Sequence, residues 1–108
     1  MGLSEFRTYQ TALKFYWECE QFKCPRHLKD QLLRASSSVA LNLSEGSAKP
    51  TAKDRSRFYH IAMGSLRECQ TIFDLIRIPG ESKIVSLADQ LGAQVFKLCK
   101  SQSIHNRK

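Results

Sequence analysis

Prolines, two of them with a glycine nearby, mark three breaks in this chain, and the stretches between them are long. Cys24-Pro25 ends the first stretch, Gly46 with the following Ser47-Ala48-Lys49-Pro50 ends the second, and Pro79-Gly80 ends the third. Residues that break helices and strands are otherwise sparse, with 5 Gly and 3 Pro in 108 residues, so four segments remain, roughly 4–23, 27–46, 51–78 and 81–102, before a basic tail at 103–108. Each segment has about 20 residues or more, enough for a helix of about 30 Å at about 1.5 Å per residue. A chain of this length has room for one domain.

The apolar pattern inside the segments is helical. The second carries Leu28, Leu32, Ala35, Val39, Asn42 and Gly46; the third Phe58, Ala62, Ser65, Cys69, Ile72 and Ile76; the fourth Ile84, Ala88, Leu91, Val95 and Leu98. Steps of four and three trace the seam of a helix packed in a bundle. No stretch alternates with a period of two between turn signals, so no strand is expected. Thr51-Ala-Lys-Asp54 resembles a capping box and predicts the start of the third helix. Gly46 predicts a left-handed cap at the end of the second. Short connections make neighbours antiparallel, and the expected fold is an all-α, up-down-up-down four-helix bundle.

The first segment holds six of the ten aromatic residues: Phe6, Tyr9, Phe15, Tyr16, Trp17 and Phe22. Phe6, Tyr9, Leu13, Tyr16 and Trp17 share one face, which this reading assigns to the core. At about 100° per residue Phe15 lies about 180° from Phe6. Phe15, Cys19 and Phe22 then form a second stripe, expected to contact another subunit.

Function classes narrow by exclusion. No apolar run approaches the roughly 18 residues of a membrane span. The N-terminus lacks an apolar signal core, so a cytoplasmic protein is expected. Cys19, Cys24, Cys69 and Cys99 form no Cys-x-x-Cys pair, which argues against zinc. Cys69 and Cys99 fall on apolar faces and read as reduced core thiols. His27, His60 and His105 are scattered, and Ser36, Ser37 and Ser38 have no partnering base. Neither an enzyme nor a cofactor is expected.

Charge points to an anionic partner. Lys plus Arg number 17 and Asp plus Glu 10, a net charge of +7. In an up-down bundle one end collects the N-terminus, the second turn and the C-terminus. That end holds nine basic residues, Arg7, Lys49, Lys53, Arg55, Arg57, Lys97, Lys100, Arg107 and Lys108, against three acids, Glu5, Glu45 and Asp54, an excess of +6. The opposite end balances five against five, and the middle carries +1. The candidate ligand is nucleic acid, held by its backbone and shape because no base-reading motif accompanies the charges.

A polar set lies on or beside the stripes of the second and third helices: Arg34, Asn42, Glu45, Ser65 and Glu68. Buried charge is costly unless paired, and an Arg34–Glu68 pair would fix the register of two antiparallel helices. A ligand site is the alternative.

These residues also carry a resemblance. Gln31-Leu-Leu-Arg34-Ala35-Ser-Ser-Ser38-Val39-Ala-Leu-Asn42-Leu-Ser-Glu45-Gly46, followed by Phe58-x-x-Ile61-Ala62-x-Gly64-Ser65-Leu66-x-Glu68, resembles the signature of the four helix bundle protein family, also called the 23S ribosomal RNA intervening-sequence protein. The similarity runs from about Phe6 to Lys100; Ser36 and Ser44 stand where alanine is more usual. The resemblance implies a bacterial four-helix bundle assembled as a ring, a homopentamer, with no established enzymatic activity. Some members are encoded within intervening sequences of 23S ribosomal RNA genes. The accessory variability determinant of diversity-generating retroelements looks like a relative, and it binds nucleic acid and a reverse transcriptase. The leading expectation is therefore a non-enzymatic binder of structured RNA. The rival is a protein-interaction ring, and binding that barely responds to salt would favour it.

Overall fold

A computed structural model describes residues 1–106, and Arg107 and Lys108 lie outside the described residues. The chain forms four helices, α1 (Leu3–Gln21), α2 (Arg26–Ser47), α3 (Ala52–Leu75) and α4 (Lys83–Asn106), with no strand among the described residues. Most of the stretch read as a tail is the last turn of α4. The molecule measures 45 × 23 × 21 Å, the shape of helices laid side by side.

Each helix packs along two others: α1 and α3 both lie against α2 and α4, while the diagonal pair α1 and α3 meets through side chains at the bundle centre. Side-chain contacts order these pairs. Ser38 meets Ser65 while Gly46 lies against Tyr59, so numbers rise on α2 as they fall on α3. Arg55 reaches Gln102 and Gln70 reaches Asp89, the same relation between α3 and α4. Lys83, opening α4, pairs with Glu18 near the end of α1 at 2.9 Å.

The core reads along four seams. On α4 the stripe Ile84, Ala88, Leu91, Val95 and Leu98 is buried, as its spacing predicts. On α3 the centre is Tyr59, Leu66 and Phe73, one residue from the expected Phe58 and Ser65, which lie at its margin. On α1 the expected faces are largely exchanged, although Tyr9 and Leu13 stay half-buried against the core. Phe15 and Cys19 are 0% exposed, whereas Phe6 is 49% and Trp17 54% exposed. Phe73 accepts Phe15 and Phe22 edge-on across the bundle centre, with ring centroids 6.2 and 5.8 Å apart. Thr8 and Thr11 share that buried face because their hydroxyls donate to the carbonyls of Ser4 and Arg7, at 2.9 and 3.0 Å.

The turns use distinct devices. Lys29 of α2 donates its ammonium to the carbonyl of Glu20 at 2.8 Å and to that of Phe22, satisfying oxygens that the end of α1 leaves open. Thr51 caps α3 by accepting from the Asp54 amide at 3.2 Å, as its sequence predicts. Gly46 is not the left-handed cap expected of it. It lies inside α2 with a negative φ, and a Cβ there would stand 2.8 Å from the Tyr59 ring. Its lack of a side chain serves helix packing. The residue in the left-handed region is Arg77, at φ 58°. Its amide donates to Asp74 and that of Ile78 to Phe73, the paired bonds of a Schellman ending.

Candidate nucleic-acid interface

The basic residues gather where α2 ends, α3 begins and α4 ends, and they differ in what holds them. Arg55 is built into the turn. Its Nε donates to Oε1 of the buried Gln102 at 2.9 Å and its Nη1 to the carbonyl of Lys49 at 3.0 Å. One guanidinium thus fastens the α2–α3 connection to the last turns of α4. These two donors are engaged within the protein.

Lys49 and Arg57 flank the half-buried ring of Phe58, with Nζ 5.2 Å and the guanidinium carbon 4.9 Å from its centroid. A cation over an aromatic face is attracted to it by about 0.5–1 kcal/mol at an exposed site. Lys49 also pairs with Glu45 at 3.5 Å, an exposed contact one turn apart. Lys53 is exposed on the first turn of α3. Arg7 and Lys97, both exposed, line one depression between α1 and α4 with Thr8 and Gln94. Lys100 is exposed on α4 and lines a groove toward α3. Phe58 was not among the residues expected at this end. Its signal was the adjacent Arg57 shortly after a lysine-proline turn.

The polar set on α2 and α3 divides. Ser38 and Ser65 hydrogen-bond at 2.8 Å, and the Asn42 amide donates to the carbonyl and the hydroxyl of Ser38 at 2.8 and 3.0 Å. Asn42 and Ser65 therefore join one half-buried polar contact through Ser38. Arg34, Glu45 and Glu68 are exposed, and the ion pairs among the described residues involve neither Arg34 nor Glu68. The expected charged pair is not made. Arg34 follows the core residue Leu32 by two positions, and Glu68 follows Leu66 by two, which turns each about 200° away from the core. Exposure spares both charges the desolvation that burial would exact.

The expected subunit stripe also fails. Phe15 and Cys19 are enclosed by their own chain, and Phe22 packs on Phe73, so this stripe is core. The surface that α1 turns outward carries Leu3, Phe6 and Trp17 instead.

The thiols are free and three of them are buried. Burial pushes the Cys19 thiol up to about 12 and raises Cys69 and Cys99 as well, so these three are not poised as nucleophiles. Burial likewise pushes the Tyr59 phenol up to about 12, with Glu5 adding to it.

No helix among the described residues is long and apolar enough to cross a membrane. Among the same residues no group of three His, Cys, Asp or Glu gathers as a metal site. Comparison with curated proteins returned no match, and neither did comparison with solved structures. A sequence profile described as 23S rRNA-intervening sequence protein matches residues 5–100, which takes in the α2 and α3 motifs, the seams of all four helices and most of the basic end. The chain belongs to the 23S rRNA-intervening sequence protein family.

Proposed function

We propose that this protein is a non-enzymatic binder of nucleic acid, structured RNA above DNA, acting in the cytoplasm through the basic end of an up-down-up-down bundle. The observation that carries the reading is exposed Lys53 and Arg57 at the start of α3, on a turn that Arg55 holds to Gln102, with exposed Lys97 and Lys100 on the stretch of α4 leading to Gln102. A fixed cationic surface gains affinity by displacing the counterions of a phosphate backbone and needs no base-specific contact. A homopentameric ring would set several such ends on one face, multiplying weak contacts. The outward α1 surface with Phe6 and Trp17 is available for that assembly, and the same surface supports the rival reading of a protein-interaction ring.

Filter binding over a salt series tests the reading with the wild type and a variant carrying Lys49→Ser, Lys53→Ser and Arg57→Ser. Arg55 stays, because it holds the turn. Affinity for structured RNA should fall steeply with salt, by about 0.9 in logarithmic slope per phosphate contact on a duplex and about 0.7 on a single strand. The variant should bind more weakly with a shallower slope. Equal binding by both proteins, or none at low salt, would reject the basic end as the interface.

A further inference from the structure

Beyond the basic end, α3 and α4 form a groove of about 410 Å³, lined by His60, Met63, Arg67, Phe96, Cys99 and Lys100, with Ser103 at its edge. That volume lies in the range of small-molecule pockets, about 300–1,000 Å³. Its chemistry is divided. Met63, Phe96 and the buried Cys99 supply apolar surface, and Phe96 leaves 58% of itself exposed. Arg67 and Lys100 supply permanent positive charge, and no carboxylate lines the groove among the described residues. The His60 Nδ1 donates to the carbonyl of Ser56 at 2.8 Å, which orients the ring.

We propose that this groove holds an unpaired base of an RNA strand, stacked on Phe96, with flanking phosphates on Arg67 and Lys100. The inference rests on the nucleic-acid reading above and adds a place for single-stranded segments to it. An exposed aromatic ring offers a stacking face that every base can use. Two cations with no acid beside them match the phosphates on either side of that base. Lys100 belongs both to this groove and to the basic end, so a strand can pass from one to the other.

The test uses two probes, a single-stranded RNA 12-mer and a blunt, fully paired RNA duplex of the same length. Phe96→Ala should weaken the single strand about tenfold, as loss of one stacked base does, and leave duplex affinity within about twofold. Unchanged duplex binding also reports an intact fold. In a Trp17→Phe, Phe96→Trp protein the only tryptophan stands in the groove, and the single strand should quench its emission while the duplex should not. If the wild type binds RNA but Phe96→Ala has no selective effect, or the emission does not move, the groove proposal falls and the basic-end reading stands. If emission follows protein concentration instead of RNA, a second copy covers the groove and the proposal is overturned. If neither probe binds at low salt, both readings fall.

Discussion

Gly46 lies against the ring of Tyr59, so that a Cβ added at 46 would stand 2.8 Å from Cε1 and 2.9 Å from the Phe58 Cβ. Neither neighbour can retreat easily, since Tyr59 is 0% exposed and the Phe58 atom is fixed to the α3 backbone. Gly46→Ala therefore trades a helix-propensity gain of about 1 kcal/mol against overpacking of about 1–3 kcal/mol. A net loss of up to about 2 kcal/mol is expected. Gly64 provides the contrast: it is exposed within α3, and nothing lies within 4 Å of where its Cβ would be. Gly64→Ala should gain about 1 kcal/mol. Urea denaturation of the pair checks both signs, and stabilisation by both substitutions would refute the close approach at Gly46.

The largely exchanged faces of α1 make a second pair. Phe15→Ala should cost about 3–5 kcal/mol, because it empties a site packed against Phe73. Trp17→Ser should change the stability of the folded chain by no more than about 0.5 kcal/mol, as expected on an exposed surface. Thermal unfolding separates them, and the opposite ranking would restore the face first read from the sequence.

What was legible in the sequence and what was not follows from this. Ile84 to Leu98 could be placed because one apolar stripe stood alone on its helix. On α1 two stripes competed, and the heavier aromatic one looked like core. The decisive residues were Thr8 and Thr11, polar by composition but able to satisfy their hydroxyls on their own helix. Arg34 and Glu68 lay one step off the seams, a displacement that periodicity resolves poorly and desolvation decides. The Phe96 groove had no linear signature, since Met63 and Phe96 meet only when α3 packs on α4.

The α3 ending predicts a stabilising substitution. Arg77 occupies the left-handed region at φ 58°, where a side chain costs about 1–2 kcal/mol that glycine does not incur. The fold tolerates it because the Arg77 and Ile78 amides close on Asp74 and Phe73. Arg77→Gly should recover about 1 kcal/mol, less the greater freedom of glycine in the unfolded chain. A lower urea midpoint for the variant would contradict this account of the turn.

Alkaline pH should weaken the fold through its buried acids. An unfolded thiol titrates near pH 8.5, whereas burial pushes Cys19 up to about 12 and raises Cys69 and Cys99. Below the unfolded value both states keep their protons, and these groups add no pH dependence. Above it the unfolded chain releases protons that the folded chain retains, so stability falls as pH rises. The slope is about 1.4 kcal/mol per pH unit for each group. Tyr59 joins once its unfolded value near 10 is passed. Urea midpoints under reducing conditions should be level near pH 7 and decline from about pH 8.5. Cys69→Ala should lower the whole curve but flatten that decline, and a profile level to pH 10 would remove the claim.

Arg55 and Lys53 lie two residues apart and should fail in different ways. Arg55→Lys keeps the charge but cannot reproduce the fork that reaches Gln102 and the Lys49 carbonyl together. Hydrogen bonds from a charged donor are worth about 1.5–3 kcal/mol each when well shielded, and this site is half-exposed, so a loss of about 1–2 kcal/mol is expected. The net field at the basic end is unchanged, and the salt slope of RNA binding should be retained wherever the variant is folded. Lys53→Ser removes an exposed charge that engages none of the side-chain hydrogen bonds or ion pairs of this turn. Stability should hold within about 0.5 kcal/mol, while the slope drops by about 0.7–0.9 if Lys53 meets a phosphate. Denaturation and salt-dependent binding on the same two proteins separate the roles. A reduced slope in Arg55→Lys with full stability would make Arg55 a phosphate ligand and not the clasp of the turn.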